Sequence, residues 1–264
     1  MTSTSTPQRP GATTGDAVTG WFAGWWRVVH FGAQLLALAL SPSSYARRHR
    51  PALARHIVLD TAPNLLWFTV LSALISLVLI RIVVVTAYSY GLSQFAIQMV
   101  VRVLVLELIP TTGALFVALR CTIPRGAELA RMRQAMPADA NDHDHIVDDV
   151  LPRVVGGIFA VWTLVAVSCV MALLVGYLVV YGFALGGFVN YTRTVGQVFA
   201  PEVALIFTLK TLFLSLAVSL IPMAWAWSGP RAKASAILRE LQVLVRLFIV
   251  ILLIEVVSLM GNYY

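Results

Sequence analysis

Five ionisable residues stand inside otherwise apolar stretches of this 264-residue chain: Arg81, Arg102, Glu107, Lys210 and Glu255. A charge in hydrocarbon is expensive, so each must face protein, water or an interface. A rise of about 1.5 Å per residue converts sequence into depth. Counted from Phe95, Arg102 lies roughly 10 Å and Glu107 roughly 18 Å along a helix; counted from Glu202, Lys210 lies roughly 12 Å along another. All three then share one half of a bilayer. Arg102 and Glu107 are five residues apart, about 140° around a helix, and cannot simply neutralise each other. Lys210, with its long stem, is the better partner for Glu107. These groups either form buried pairs that hold a bundle together or line a lipid cavity, and the two readings are compatible. Glu255 is a further candidate, for the same cavity or for pairing with an arginine. Arg81, near the end of its stretch, reads as a snorkelling anchor before a headgroup ligand.

Pro110 follows the acid closely. It has no N–H to give to the carbonyl of Leu106 and should push the helix axis aside, while Thr111 and Thr112 offer hydroxyls to the freed carbonyls. Other chemistry is poorly provided for. His143 and His145 are two apart and do not share a helix face, so no metal site is expected. No nucleophile with its base, no glycine-rich phosphate loop and no paired catalytic carboxylates occur, which predicts neither a cofactor nor an enzyme, and no ATPase of its own. Cys121 and Cys169 form no disulfide framework.

The elements that must position these residues are set by composition. The chain is 59% hydrophobic and 12% charged, with mean hydropathy +0.84. Soluble domains carry about twice that charge, so the fold class is an all-α integral membrane protein. Five transmembrane helices are expected, at about 63–87, 95–119, 154–181, 202–227 and 241–260, each near the ~20 residues that cross the hydrocarbon. Gly156 and Gly157 open the third span and allow close helix contact. Residues 1–16 read as a disordered tail and 17–264 as one domain. Within it, 18–40 carries Trp21, Phe22, Trp25, Trp26, Val29, Leu35 and Leu36 interrupted by Arg27, His30 and Gln34, the pattern of an N-terminal interfacial amphipathic helix. The loop 182–201 is glycine-rich and should dip onto the membrane surface, and Trp225 and Trp227 read as an aromatic belt.

The net charge of +7 does not point to nucleic acid, because the arginines cluster beside apolar helices. Arg9, Arg27, Arg47, Arg48, Arg50, Arg55, Arg120, Arg125, Arg131, Arg133, Arg153, Arg231, Lys233, Arg239 and Arg246 fall on one side, and Arg193 alone on the other. That split predicts an N-terminus inside and a C-terminus outside.

The stretch from Leu106 to Met132 resembles the signature of the MlaE-type permeases of ABC lipid transporters, an E-L-G-P turn, then A-G-R, then A-E followed by Met. Glu107, Leu108, Pro110, Ala118, Arg120, Ala127, Glu128 and Met132 match it without a gap. Leu106 stands where the family has arginine, Ile109 and Leu119 where it has glycines, and Pro124 and Arg125 interrupt a run that is small and neutral. The resemblance runs from about Gly32 to Asn262. It implies a permease in the bacterial inner membrane with its C-terminus in the periplasm. It also implies a homodimer or a heterodimer with a related permease, a separate cytoplasmic ABC ATPase, a periplasmic MCE-domain partner and phospholipid as cargo. It further implies that a lysine belongs at Lys210 and an acid near Glu255.

The family's ATPase-coupling helix would fall between the second and third spans, where this chain reads RQAMPADANDHDHIVDDVLPR. A short amphipathic helix is expected at 143–151, with Ile146, Val147, Val150 and Leu151 as an apolar anchor inside a docking segment 138–151, and Glu128 and Arg131 beside it. The segment is shorter than usual and atypical. A non-transporting scaffold or degenerate paralogue, one half of a heterodimer, and a permease for drugs or polysaccharides are the alternative readings.

Overall fold

The computed structural model describes residues 14–40, 50–92, 95–135, 146–228 and 236–263. Seven α-helices and no strand occur among them: α1 (Thr14–Leu40), α2 (Arg50–Ser89), α3 (Ala96–Ala135), α4 (Leu151–Tyr181), α5 (Phe188–Val198), α6 (Pro201–Ser228) and α7 (Ala236–Tyr263). Five stretches are long and apolar enough to cross a membrane: Thr61–Ser89, Ala96–Ala135, Leu151–Tyr181, Pro201–Trp227 and Glu240–Gly261. The expected all-α membrane fold with five spans is the observed one.

The α3 helix does not stop near Leu119, where the second span was expected to end, but runs unbroken to Ala135. At 40 residues it is about 60 Å long, roughly twice the hydrocarbon thickness. Residues 125–135 are mostly Ala, Glu, Leu, Arg, Met and Gln, all good helix formers, so nothing in them ends the helix. Its prolines are absorbed in place. Wide π-type turns occupy Val101–Leu108 and Ala118–Thr122, and a third, Ile146–Val150, leads into α4. Each ends two residues before a proline, at Pro110, Pro124 and Pro152. Reaching back five residues instead of four, as Ile109 N–H does to Leu104 and Ile123 N–H to Ala118, moves the carbonyl away from the pyrrolidine ring.

α2 packs along α4, and the core continues where α6 meets α3, α4 and α7. Small residues let the backbones close up: a Cβ on Gly126 of α3 would stand 3.1 Å from the carbonyl oxygen of Pro222, and one on Gly157 of α4 would stand 2.6 Å from Ser219 Oγ. α1 buries Val28, Phe31 and Leu35 against this bundle and leaves Trp26 and Val29 outward. Beneath Gly24, the Arg246 guanidinium carbon lies 3.8 Å from the centre of the Trp225 ring. Trp225 and Trp227 are both buried. They do not form the lipid-facing belt expected from sequence but stack against Arg246 and Arg133, as the electron-rich indole face attracts a guanidinium.

The region expected to be a surface loop at 182–201 holds α5. Tyr191 anchors it, donating its hydroxyl hydrogen bond to the Leu173 carbonyl at 2.8 Å within a cluster of Tyr177 and Tyr181. Burial pushes the Tyr191 phenol up to about 12. Tyr191, Val195 and Val198 recur at i, i+4 and i+7, a helix signal hidden by the flanking glycines.

Candidate functional site

Glu107, Lys210 and Glu255 meet where α3, α6 and α7 converge. The Lys210 ammonium, 3% exposed as a residue, forms an ion pair with the Glu107 carboxylate and a second, at 2.9 Å, with Glu255 Oε1. It also lies 3.4 Å from the Leu106 carbonyl oxygen and 3.5 Å from that of Glu107. Thr111 completes the set. Its hydroxyl donates to Glu255 Oε2 at 2.7 Å and approaches the Glu107 carbonyl at 3.0 Å.

The local sequence explains the arrangement. Glu107 sits in the first wide turn of α3, just ahead of Pro110, which leaves a carbonyl without its helical donor. The Lys210 ammonium reaches that carbonyl and the carboxylate together, so one cation satisfies a backbone and a side-chain group in a region that excludes water. Thr111 and Thr112 do serve carbonyls, those of Glu107 and Leu108. The Lys210 ammonium stands beside the Leu106 carbonyl. One ammonium faces two carboxylates, so the cluster carries one negative charge in excess when both are ionised.

The other candidates lie apart. Arg102 is exposed, has no ion pair among the described residues and lines a separate groove. Arg81 is exposed on α2 and does not reach the cluster. Sequence reasoning did not foresee the Thr111 link to Glu255. Nothing in the local pattern reveals it, because the two are 144 residues apart.

Beside the cluster an apolar groove of about 380 Å³ runs between α6 and α7, walled by Leu209, Phe213, Leu253, Ile254 and Val257, with Lys210 among its lining residues. A charged cluster beside an apolar groove is suited to an amphiphile, whose head and chain need opposite surroundings.

The family model described as Permease MlaE matches residues 53–260. The chain belongs to the MlaE permease family. No curated protein matches it. Membership makes this MlaE-family permease a multi-pass transport subunit of the lipid ABC transporter type. The match begins at residue 53, within α2, so it is narrower than the stretch from Gly32 expected above and leaves α1 outside.

The far end of the permease, where the arginines gather, differs from expectation. Glu128 and Arg131 are exposed on α3. Val150 and Leu151 are 0% and 2% exposed and Ile146 packs against the core, so Val150 and Leu151 cannot serve as the outward anchor of a docking helix. The physical reason is continuity. The turn Ile146–Val150 runs straight into α4, which commits its apolar residues to the bundle, and Arg153 fastens it through Asp149 at 3.7 Å and Met132 Sδ at 3.8 Å. The separate helix at 143–151 is therefore not seen as such. Residues 136–145, with His143, His145 and the acidic run, lie outside the described residues, as does the side chain of Val147. Cys121 is buried and accepts a hydrogen bond from Asn64 Nδ2 at 3.1 Å.

Proposed function

We propose that this permease carries phospholipid or a related lipid between the inner and outer membranes, driven by a separate cytoplasmic ATPase and joined to a periplasmic MCE-domain partner. The observation that carries the reading is the apolar groove between α6 and α7 that shares Lys210 with the buried cluster. In this reading the arginine-rich end faces the cytoplasm and the chain works as a dimer, with α1 lying at the inner interface. Arg81 anchors α2 among headgroups. Glu128 and Arg131 are the exposed residues of α3 available to an ATPase.

Burial of Val150 and Leu151 favours one variant of this reading, in which the chain is half of a heterodimer and a related permease supplies the usual coupling helix. Reconstitution tests both. Proteoliposomes holding the permease with its ATPase and MCE partner should transfer a fluorescent phospholipid on ATP addition, and Lys210→Ala should abolish transfer. No ATP-dependent transfer from any combination of permeases would overturn the proposal. Transfer only when a second permease is present would establish the heterodimer.

A further inference from the structure

A second groove lies at the opposite end of the bundle from the arginine cluster, where the α2–α3 turn and α5 come together. Its volume is about 260 Å³ and it is lined by Phe95, Gln98, Met99, Arg102, Gln197 and Val198. Its polar groups are one guanidinium and two carboxamides, with no carboxylate among them. Arg102 has no hydrogen bond or ion pair among the described residues, and neither carboxamide side chain has a hydrogen bond there. Arg102 lies about 9 Å along α3 from Ala96, within snorkelling reach of the headgroup layer at that end.

An unpaired cation at that depth calls for an anion. A guanidinium offers a planar fork of donors matched to phosphate oxygens. Gln98 stands one helical turn before Arg102 on α3 and so shares its face, while Gln197 comes from α5. Both can donate through their amide groups. Phe95, Met99 and Val198 supply apolar walls for the part of a lipid next to its phosphate. The buried cluster is less suited to that phosphate, because its ammonium is already met by two carboxylates.

We infer that this groove binds the phosphate of a membrane lipid headgroup, at a rim site separate from the Glu107–Lys210–Glu255 cluster. The inference goes beyond transport, since the groove would hold lipid whether or not lipid moves.

Native mass spectrometry of the full-length chain in micelles tests it, using phosphatidylglycerol, diacylglycerol of the same chains and inorganic phosphate as probes. Wild type should retain phosphatidylglycerol in preference to diacylglycerol. Arg102→Gln should weaken that retention about tenfold, the effect of losing a charge-assisted hydrogen bond, and Arg102→Lys should restore part of it. Gln197→Leu should also weaken it, by a few-fold. This substitution changes no charge and lies on an exposed position of α5, so folding is not at stake. Retention that falls with Arg102→Gln but not with Gln197→Leu would mean a generic snorkelling cation and no built groove. Competition by inorganic phosphate at matched concentration would assign the site to free phosphate instead of lipid. Unchanged lipid retention in Arg102→Gln would also overturn the inference. Retention is read on the permease by itself, without ATP, ATPase or MCE partner, which keeps failure of the rim site distinct from failure of the transport reading.

Discussion

Lys210 on α6 places its ammonium 3.4 Å from the carbonyl oxygen of Leu106 on α3, the acceptor that Pro110 deprives of its helical donor. Pro110 and Lys210 are therefore complementary defects: a helix missing an N–H and a helix carrying a charge that needs oxygen ligands. Each would be costly in an apolar bundle without the other.

The first prediction concerns the order of damage within the cluster. Lys210→Ala leaves two carboxylates facing each other and a carbonyl without a donor, and should cost on the order of 3–5 kcal/mol, as removing one partner of a buried pair does. Glu107→Ala should cost less because Glu255 remains on the lysine, and Glu255→Ala least because its side chain is 24% exposed. Thermal unfolding in detergent gives the ranking. Exchanging the pair as Glu107→Lys with Lys210→Glu should recover part of the loss. A double exchange no better than either single change would show that the two are not energetically coupled.

Pro110→Ala should separate stability from function. Restoring an N–H lets the wide turn close toward a regular helix and gives the freed carbonyl a backbone donor. The melting temperature should hold or rise, while lipid transfer falls because Glu107 turns away from Lys210. Loss of stability in parallel with transfer would count against this account.

Two glycines of α3 should respond unequally to alanine. At Gly126 the new Cβ meets the Pro222 backbone at 3.1 Å, whereas at Gly113 it meets a methyl of the Val165 side chain at 3.0 Å. A side-chain methyl can give by a few tenths of an ångström more readily than a helix backbone, so Gly126→Ala should cost about 1–3 kcal/mol of stability. Gly113→Ala should cost clearly less. Equal costs would mean that the α3–α6 crossing yields as readily as a rotamer.

Cysteine accessibility tests orientation in cells. A cysteine at Arg193 on α5 should react with a membrane-impermeant reagent added outside, and one at Arg131 should not. Arg131 is preferable to Arg133, whose guanidinium lies 5.4 Å from the Trp227 ring centre. The reverse labelling pattern would invert the proposed topology.

The sequence by itself determined the class of this protein and the location of its spans, because hydropathy acts over some 20 residues and needs no partner to be read. It also pointed to Glu107 and Lys210, since ionisable groups in apolar helices must answer to something at matching depth. What it could not determine was set by contacts between distant segments. Whether Glu255 joined the cluster depended on the rotation of α7 against α6. Whether Trp225 and Trp227 faced lipid or protein depended on where Arg246 and Arg133 came to rest. Whether Val150 and Leu151 pointed outward depended on the turn ahead of Pro152 running on into α4 instead of breaking. Periodicity fixes which residues share a face of a helix, but only packing decides which way that face turns.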